Sequence, residues 1–105
     1  MPRITVTSDA QTVITTFETS PGQCQDLLDA LQSAYADFIS KQPGFIAAAL
    51  HVNDAQTRIA NYSQWERRDD FLAMLRSPEM RERNRALNSF CRSFEPVLYD
   101  VAATY

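Results

Sequence analysis

The stretch that most restricts how this chain can fold is a pair of extended runs, FIAAALHV (45–52) and TRIANYSQW (57–65), parted by NDAQ (53–56). Both runs favour strand, and an Asn-Asp pair favours a turn, so an antiparallel hairpin is predicted. A turn about Asp54-Ala55 sets Ala48 opposite Asn61 and Ala49 opposite Ala60. Because strand side chains alternate, Ile46, Ala48, Leu50, Ile59, Asn61, Ser63 and Trp65 then share one side. Phe45, Ala47, Ala49, Ala60, Tyr62 and Gln64 share the other, with His51 and Arg58 at its end. Both sides carry apolar residues, which predicts that both are covered.

The rest of the chain supplies the elements that flank this hairpin. QTVITTFET (11–19) is rich in β-branched residues and reads as a strand. SPGQ (20–23) reads as a helix start, with Ser20 as cap, Pro21 in the first turn and Gln23 completing a capping box. Cys24, Leu27, Leu28, Leu31, Tyr35, Phe38 and Ile39 follow at steps of three and four, the pattern of an amphipathic helix. KQPGF (41–45) ends it, since Pro43 and Gly44 do not continue a helix. Beyond the hairpin, RRDDFLAML predicts a short helix. Ser77-Pro78 opens another, predicted to run to about Ser93 with Met80, Leu87, Phe90, Cys91 and Phe94 near one face. EPVLYDVAATY alternates Val97, Tyr99, Val101 and Ala103 against Pro96, Leu98, Asp100 and Ala102, as a strand does.

The predicted order is β-α-β-β-α-β. That is the ferredoxin-like α+β arrangement, an antiparallel sheet with helices on one face, in a single domain spanning residues 1–105. Helices can cover only one face, so the other is expected to meet a second subunit, giving a homodimer of the α/β-barrel type. The alanine run at 47–49 keeps that face low enough for another sheet to approach.

Composition removes several function classes. A net charge of −3 and a pI near 5.0 disfavour a nucleic-acid partner, which needs a basic face. No apolar run nears the ~20 residues of a membrane span, and MPRITVTSDAQ has no apolar core of signal-peptide length. Cys24 and Cys91 are far apart and form no CxxC pair, which reads as reduced thiols on helices of a cytoplasmic protein. With one histidine and two distant cysteines no metal site is predicted. No Gly-rich phosphate loop occurs, so no nucleotide or flavin fingerprint is present.

Individual residues leave alternatives open. His51 fits a polar residue near the hairpin end better than a catalytic base. Arg76, Arg81, Arg83, Arg85 and Arg92 cluster with Glu79 and Glu82, as a self-paired solvated face does, or one of them turns inward onto an anionic oxygen. Phe17, Tyr35, Phe38, Phe71 and Phe90 suit a packed core and would equally line a hydrophobic ligand cavity. Asn61 interrupts the covered face between Ile59 and Trp65. A buried amide without partners costs ~1–3 kcal/mol, so either Ser63 or a backbone group satisfies it, or it serves a ligand. In the second case Asn61 and the Trp65 indole N–H point into one pocket. Four residues of extended strand span ~13 Å, so both touching one atom requires a bend or bulge at the strand end.

QPGFIAAALHVNDAQTRIANYSQWERRDDFLAMLRSPEM resembles the antibiotic biosynthesis monooxygenase family. The likeness rests on P-G-F opening the second strand, a hairpin, N-Y-x-Q-W-E, and a Pro-initiated helix. Pro43, Gly44, Phe45, Asn61, Tyr62, Gln64, Trp65 and Glu66 carry it. The resemblance implies a dimeric enzyme that needs no cofactor and oxidises an anthrone, naphthol or hydroquinone to a quinone with O2. It implies Asn61 and Trp65 as catalytic residues, with Ser63, Tyr35, Phe71, Phe90 and Arg83 around a small aromatic substrate. The sequence departs from that branch at Phe71, where a tyrosine is usual, and near Asn84, where an arginine is usual, so the proton-handling group is left open between Tyr35 and an arginine. The haem-degrading branch carries a histidine on the helix after the tryptophan, and none follows Trp65 here. The rival to an oxygenase is a non-catalytic dimeric module that binds a small hydrophobic ligand or a partner.

Overall fold

The computed structural model describes residues 10–105; the reading of residues 1–9 falls outside them. Strand β1 (Gln11–Glu18) leads into helix α1 (Pro21–Asp37) and a short 3-10 turn (Ile39–Lys41). The hairpin β2 (Phe45–Val52) and β3 (Arg58–Trp65) follows, then α2 (Arg68–Arg76), α3 (Pro78–Leu87) and β4 (Ser93–Tyr99). The sheet order is β2-β3-β1-β4 with every neighbouring pair antiparallel, which is the ferredoxin-like arrangement. Among the described residues no helix is long and apolar enough to cross a membrane.

Two apolar clusters lie between the sheet and the helices. Leu27 and Leu31 of α1 meet Phe17, Ile59 and Leu87 at one end. Trp65, Phe71, Met74, Met80 and Val13 pack at the other. Leu27, Ile59 and Trp65 are fully buried. The opposite face presents Ile14, Ala47, Ala49, Ala60, Tyr62 and Val97, all only half-buried, and among the described residues no helix lies over it.

The hairpin register differs from the sequence reading by two residues. Leu50, not Ala48, stands opposite Asn61, and Ala48 meets Ser63. The cause is the turn: Asn53 Oδ1 accepts from the backbone N–H groups of Thr57 and Arg58, both at 2.9 Å, and Gln56 takes a left-handed conformation at φ 56°. A shift of two preserves strand parity, so the residues of β3 keep their faces. A bulge between Phe45 and Ala47 does change a face. Ile46 is pushed outward to 46% exposure, and Phe45 instead pairs with Trp65 and turns toward the helices.

Three further readings need correction. Ser20 stands at the N-cap of α1 but makes no side-chain cap bond, and Gln23 Nε2 donates to the Ser89 carbonyl instead of closing a capping box. The helix opened by Pro78 stops at Leu87, well short of Ser93, because residues 90–92 are held against the end of β1. Thr19 Oγ1 donates to the Phe90 carbonyl at 2.6 Å, and Arg92 N–H donates to the Glu18 carbonyl at 2.8 Å. The last strand accordingly starts at Ser93 and ends at Tyr99, and Cys91 sits in the turn before it rather than on a helix. Ser77, by contrast, does cap α3, accepting from Met80 N–H at 3.2 Å.

Candidate functional site

Alternation along β3 sends Ile59, Asn61, Ser63 and Trp65 under the helices, and β1 adds Thr15 and Phe17 beside them. All of them except Ile59 line a cavity of about 40 Å3, which α1, α2, α3 and the neighbouring strand β4 also border. The space holds roughly two or three waters. It is far below the roughly 300 Å3 at which small-ligand sites begin.

Four polar side chains form a network at the cavity wall. The Tyr35 hydroxyl lies 2.9 Å from Asn61 Oδ1, to which it donates in one arrangement, and 2.7 Å from Asn61 Nδ2, from which it accepts in the other. Trp65 Nε1 donates to Ser63 Oγ at 3.3 Å, and Ser63 in turn approaches the Val13 carbonyl at 3.5 Å. Neither donor of the expected Asn61–Trp65 pair is therefore idle. The partner of Asn61 is Tyr35, a side chain from α1, rather than Ser63 or the backbone. Burial pushes the Tyr35 phenol above its ordinary value of 10.0, and hydrogen bonds with Asn61 and Ser63 offset part of that rise. At neutral pH Tyr35 is thus a protonated donor and not a resting base.

Aromatic edges hold the indole in place. Phe45 meets Trp65 edge-on at 5.4 Å between centroids, Phe71 meets it at 5.8 Å, and Tyr35 tilts against Phe45 at 5.9 Å. The bulge at Ile46 is what delivers Phe45 to this stack. Gly44, at φ 84°, permits the tight turn before it, where a Cβ would come within 2.2 Å of Asp70 Oδ2. The P-G-F stretch therefore has a local reason: it seats β2 against the start of α2.

Tyr35, Asn61, Ser63, Trp65 and Phe71 all line the cavity. Phe90 and Arg83 do not. Phe90 packs against the Leu27 cluster in the turn after α3. Arg83 is held outside by Glu79 at 3.1 Å, with its guanidinium 6.0 Å from the Phe38 ring centre. The neighbouring residue, Asn84, reaches the cavity instead, together with Met80 and Leu87. Its place was legible as a polar residue four after Met80 and three before Leu87, on one helical face. Thr15, between Val13 and Phe17 on the covered side of β1, is a second lining residue with the same kind of signal. The remaining arginines fit a self-paired surface, as Arg85 with Glu82 shows. His51 is exposed, its Nδ1 3.3 Å from the Ala60 carbonyl at the sheet edge. Among the described residues no group of three or more His, Cys, Asp or Glu could hold a metal ion, and both cysteines are free.

The family model for antibiotic biosynthesis monooxygenases matches residues 10–86, a span that takes in the whole network and the cavity up to α3. The chain belongs to the antibiotic biosynthesis monooxygenase family. Within the family it is 28% identical over 108 residues to tetracenomycin-F1 monooxygenase of Streptomyces glaucescens, covering 100% of this chain and 93% of that protein. Its fold is shared with an asparagine-to-alanine mutant of SnoaB, a cofactor-independent oxygenase from Streptomyces nogalater. That likeness has a TM-score of 0.80 at 21% identity, over 92% of this chain and 97% of that one. The monooxygenase ActVA-Orf6 of Streptomyces coelicolor, solved with nanaomycin D, also has a TM-score of 0.80, at 22% identity over 91% and 90% of the two chains.

Proposed function

We propose that this protein is a cofactor-independent monooxygenase that oxidises an aromatic, polyketide-type anthrone, naphthol or hydroquinone to a quinone with O2. The observation that carries the reading is the Tyr35–Asn61 and Trp65–Ser63 network on the wall of a small, mostly apolar cavity, in a chain of this family. The similarity to tetracenomycin-F1 monooxygenase adds support for the substrate class.

The chemistry asks little of the protein beyond placement and charge stabilisation. An anthrone methylene next to two rings is acidic, and its anion is electron-rich. That anion gives one electron to O2, and the superoxide and substrate radical so formed combine into a carbon-bound peroxide. The peroxide O–O bond then breaks as the C–H proton leaves, releasing water and leaving a carbonyl. The balance is one O2 consumed, one oxygen retained in the quinone and one in water. Asn61 and Trp65 supply neutral N–H donors where negative charge develops, on the substrate oxygen first and on the peroxide next. Fixed donors in a site closed to water are worth more than the same bonds in solvent. The apolar wall formed by Phe71, Met74 and Met80 keeps bulk water from the anion.

The uncovered sheet face with Ala47, Ala49, Ala60 and Tyr62 is the surface we assign to a second copy of the chain in a homodimer. A monomeric sedimentation profile at micromolar concentration would count against that assembly.

The test is oxygen-electrode uptake with chelator-treated protein, 1,8-dihydroxyanthrone and simple hydroquinones, corrected for autoxidation, with Asn61→Ala in parallel. Uptake that resists chelator and is lost in the variant supports the oxygenase. Persistent ligand binding without O2 consumption identifies a binding module instead.

A further inference from the structure

Among the described residues Tyr35 is the one polar side chain that lines both the small cavity and an open groove of about 680 Å3 along β2. On the cavity side its hydroxyl engages both ends of the Asn61 amide. On the groove side its ring borders Phe45 and the alanines of β2. The enclosed volume of about 40 Å3 admits no aromatic ring, while the groove beside it is large enough for several. The wall that the two spaces share is this tyrosine, a long, half-buried side chain that rotates about two bonds.

We infer that Tyr35 is an internal stand-in for the substrate. In the resting protein its phenol occupies the hydrogen-bonding place on Asn61 that a substrate hydroxyl takes, and its ring swings toward the β2 groove when a substrate enters. The inference rests on the reading of the substrate as a hydroxylated aromatic, and it assigns Tyr35 a role in admission and selectivity rather than in proton abstraction. Its physical basis is conservation of hydrogen bonds. Asn61 is 8% exposed, so losing Tyr35 without replacement leaves a buried amide unsatisfied. A phenol entering as a phenol leaves restores the bond and makes the exchange nearly even. An aromatic without a hydroxyl leaves the amide unpaired and is rejected. Raised as it is by burial, the Tyr35 phenol stays protonated beside the amide, as a substrate phenol would.

The experiment is a titration followed by the fluorescence of Trp65, the single tryptophan. The probes are 4-hydroxybiphenyl and biphenyl, which differ only in one free hydroxyl and which O2 does not oxidise. Wild-type protein should prefer the hydroxylated probe. Tyr35→Phe removes the stand-in, so both probes should bind about three- to tenfold tighter, as expected if one hydrogen bond no longer has to be broken. Asn61→Ala should abolish the preference between probes. In turnover with the anthrone, Tyr35→Phe should lower KM by a similar factor and act on KM more than on kcat. Tyr35→Leu, checked for folding by circular dichroism, gives a second removal of the hydroxyl and should also tighten both probes.

Selective weakening of the hydroxylated probe in Tyr35→Phe would overturn the inference, because it would make Tyr35 a direct substrate partner. Unchanged affinity in both Tyr35 variants, or a large fall in kcat at constant KM, would overturn it as well. The titration consumes no O2, so its outcome stands whether or not the oxygenase reading does.

Discussion

The two clusters beneath the sheet are built from similar residues to different ends. Around Leu27 and Ile59 the packed side chains are Phe17, Cys24, Leu31 and Leu87, of which Phe17, Leu31 and Leu87 also border the cavity. Around Trp65 the same sheet face carries Asn61 and Ser63, and α1 contributes Tyr35 in place of a leucine. The small cavity lies between the two clusters, and the polar atoms on its wall come from the side of the second, an arrangement that packing alone does not favour. On the proposed reading, stability and function are separated along one strand by a distance of two residues, between Ile59 and Asn61.

That separation can be broken most severely at Leu27. Leu27→Ala empties space in a fully buried position and should cost about 2–5 kcal/mol, measured by denaturant unfolding, with kcat/KM unchanged while the fold persists. Asn61→Ala should weigh the other way: kcat/KM for the anthrone falls about 10²-fold, while unfolding becomes easier by only about 1–3 kcal/mol, the cost of a Tyr35 hydroxyl left without its partner. If Leu27→Ala loses kcat/KM while it is still folded, the division between the clusters is wrong.

Gly44→Ala tests how far the Trp65 stack depends on its entry turn. The new Cβ collides with Asp70 at a left-handed backbone position, so unfolding should become easier by about 1–3 kcal/mol. Trp65 emission should shift as Phe45 moves.

A smaller effect sharpens the picture at high pH. The Tyr35 phenol titrates higher folded than unfolded, so the folded state holds its proton more tightly. Its contribution to stability is fully present below the unfolded value near 10 and is lost as pH rises through the raised folded value. Thermal melts of wild type and Tyr35→Phe should therefore differ by a constant amount from pH 6 to 9 and converge above pH 10. Arg85→Ala, on the exposed pair with Glu82, should change stability by no more than about 0.5 kcal/mol.

How much of this could be read before any coordinates is clear from particular residues. Strand parity placed Asn61, Ser63 and Trp65 on the covered side of β3, and it survived a register shift of two because the period is two. Helical spacing put Leu27, Leu31 and Tyr35 on one stripe of α1, and Ser77-Pro78 marked the start of α3 by cap chemistry. The bulge at Ile46 was not legible, because nothing in FIAAALHV distinguishes a regular strand from one that spares an extra residue. Nor was the end of α3, where periodic apolar residues continue to Phe94 but bonds from the Thr19 hydroxyl to the Phe90 carbonyl and from Arg92 N–H to the Glu18 carbonyl pull the chain away.

The amino-acid sequence by itself determined the order of elements, the faces of the strands and the polar interruption at Asn61, since each follows from local period and turn chemistry. Only the tertiary structure decided which group answers that interruption. Tyr35 lies 26 residues away from Asn61 in the chain, and the two hydroxyl–amide contacts exist because α1 crosses β3 at that height. It also excluded Arg83 and admitted Asn84, a choice made by the rotation of α3 about its own axis. Long-range pairing and helix rotation are set by how all the apolar faces pack at once, which no window of neighbouring residues contains.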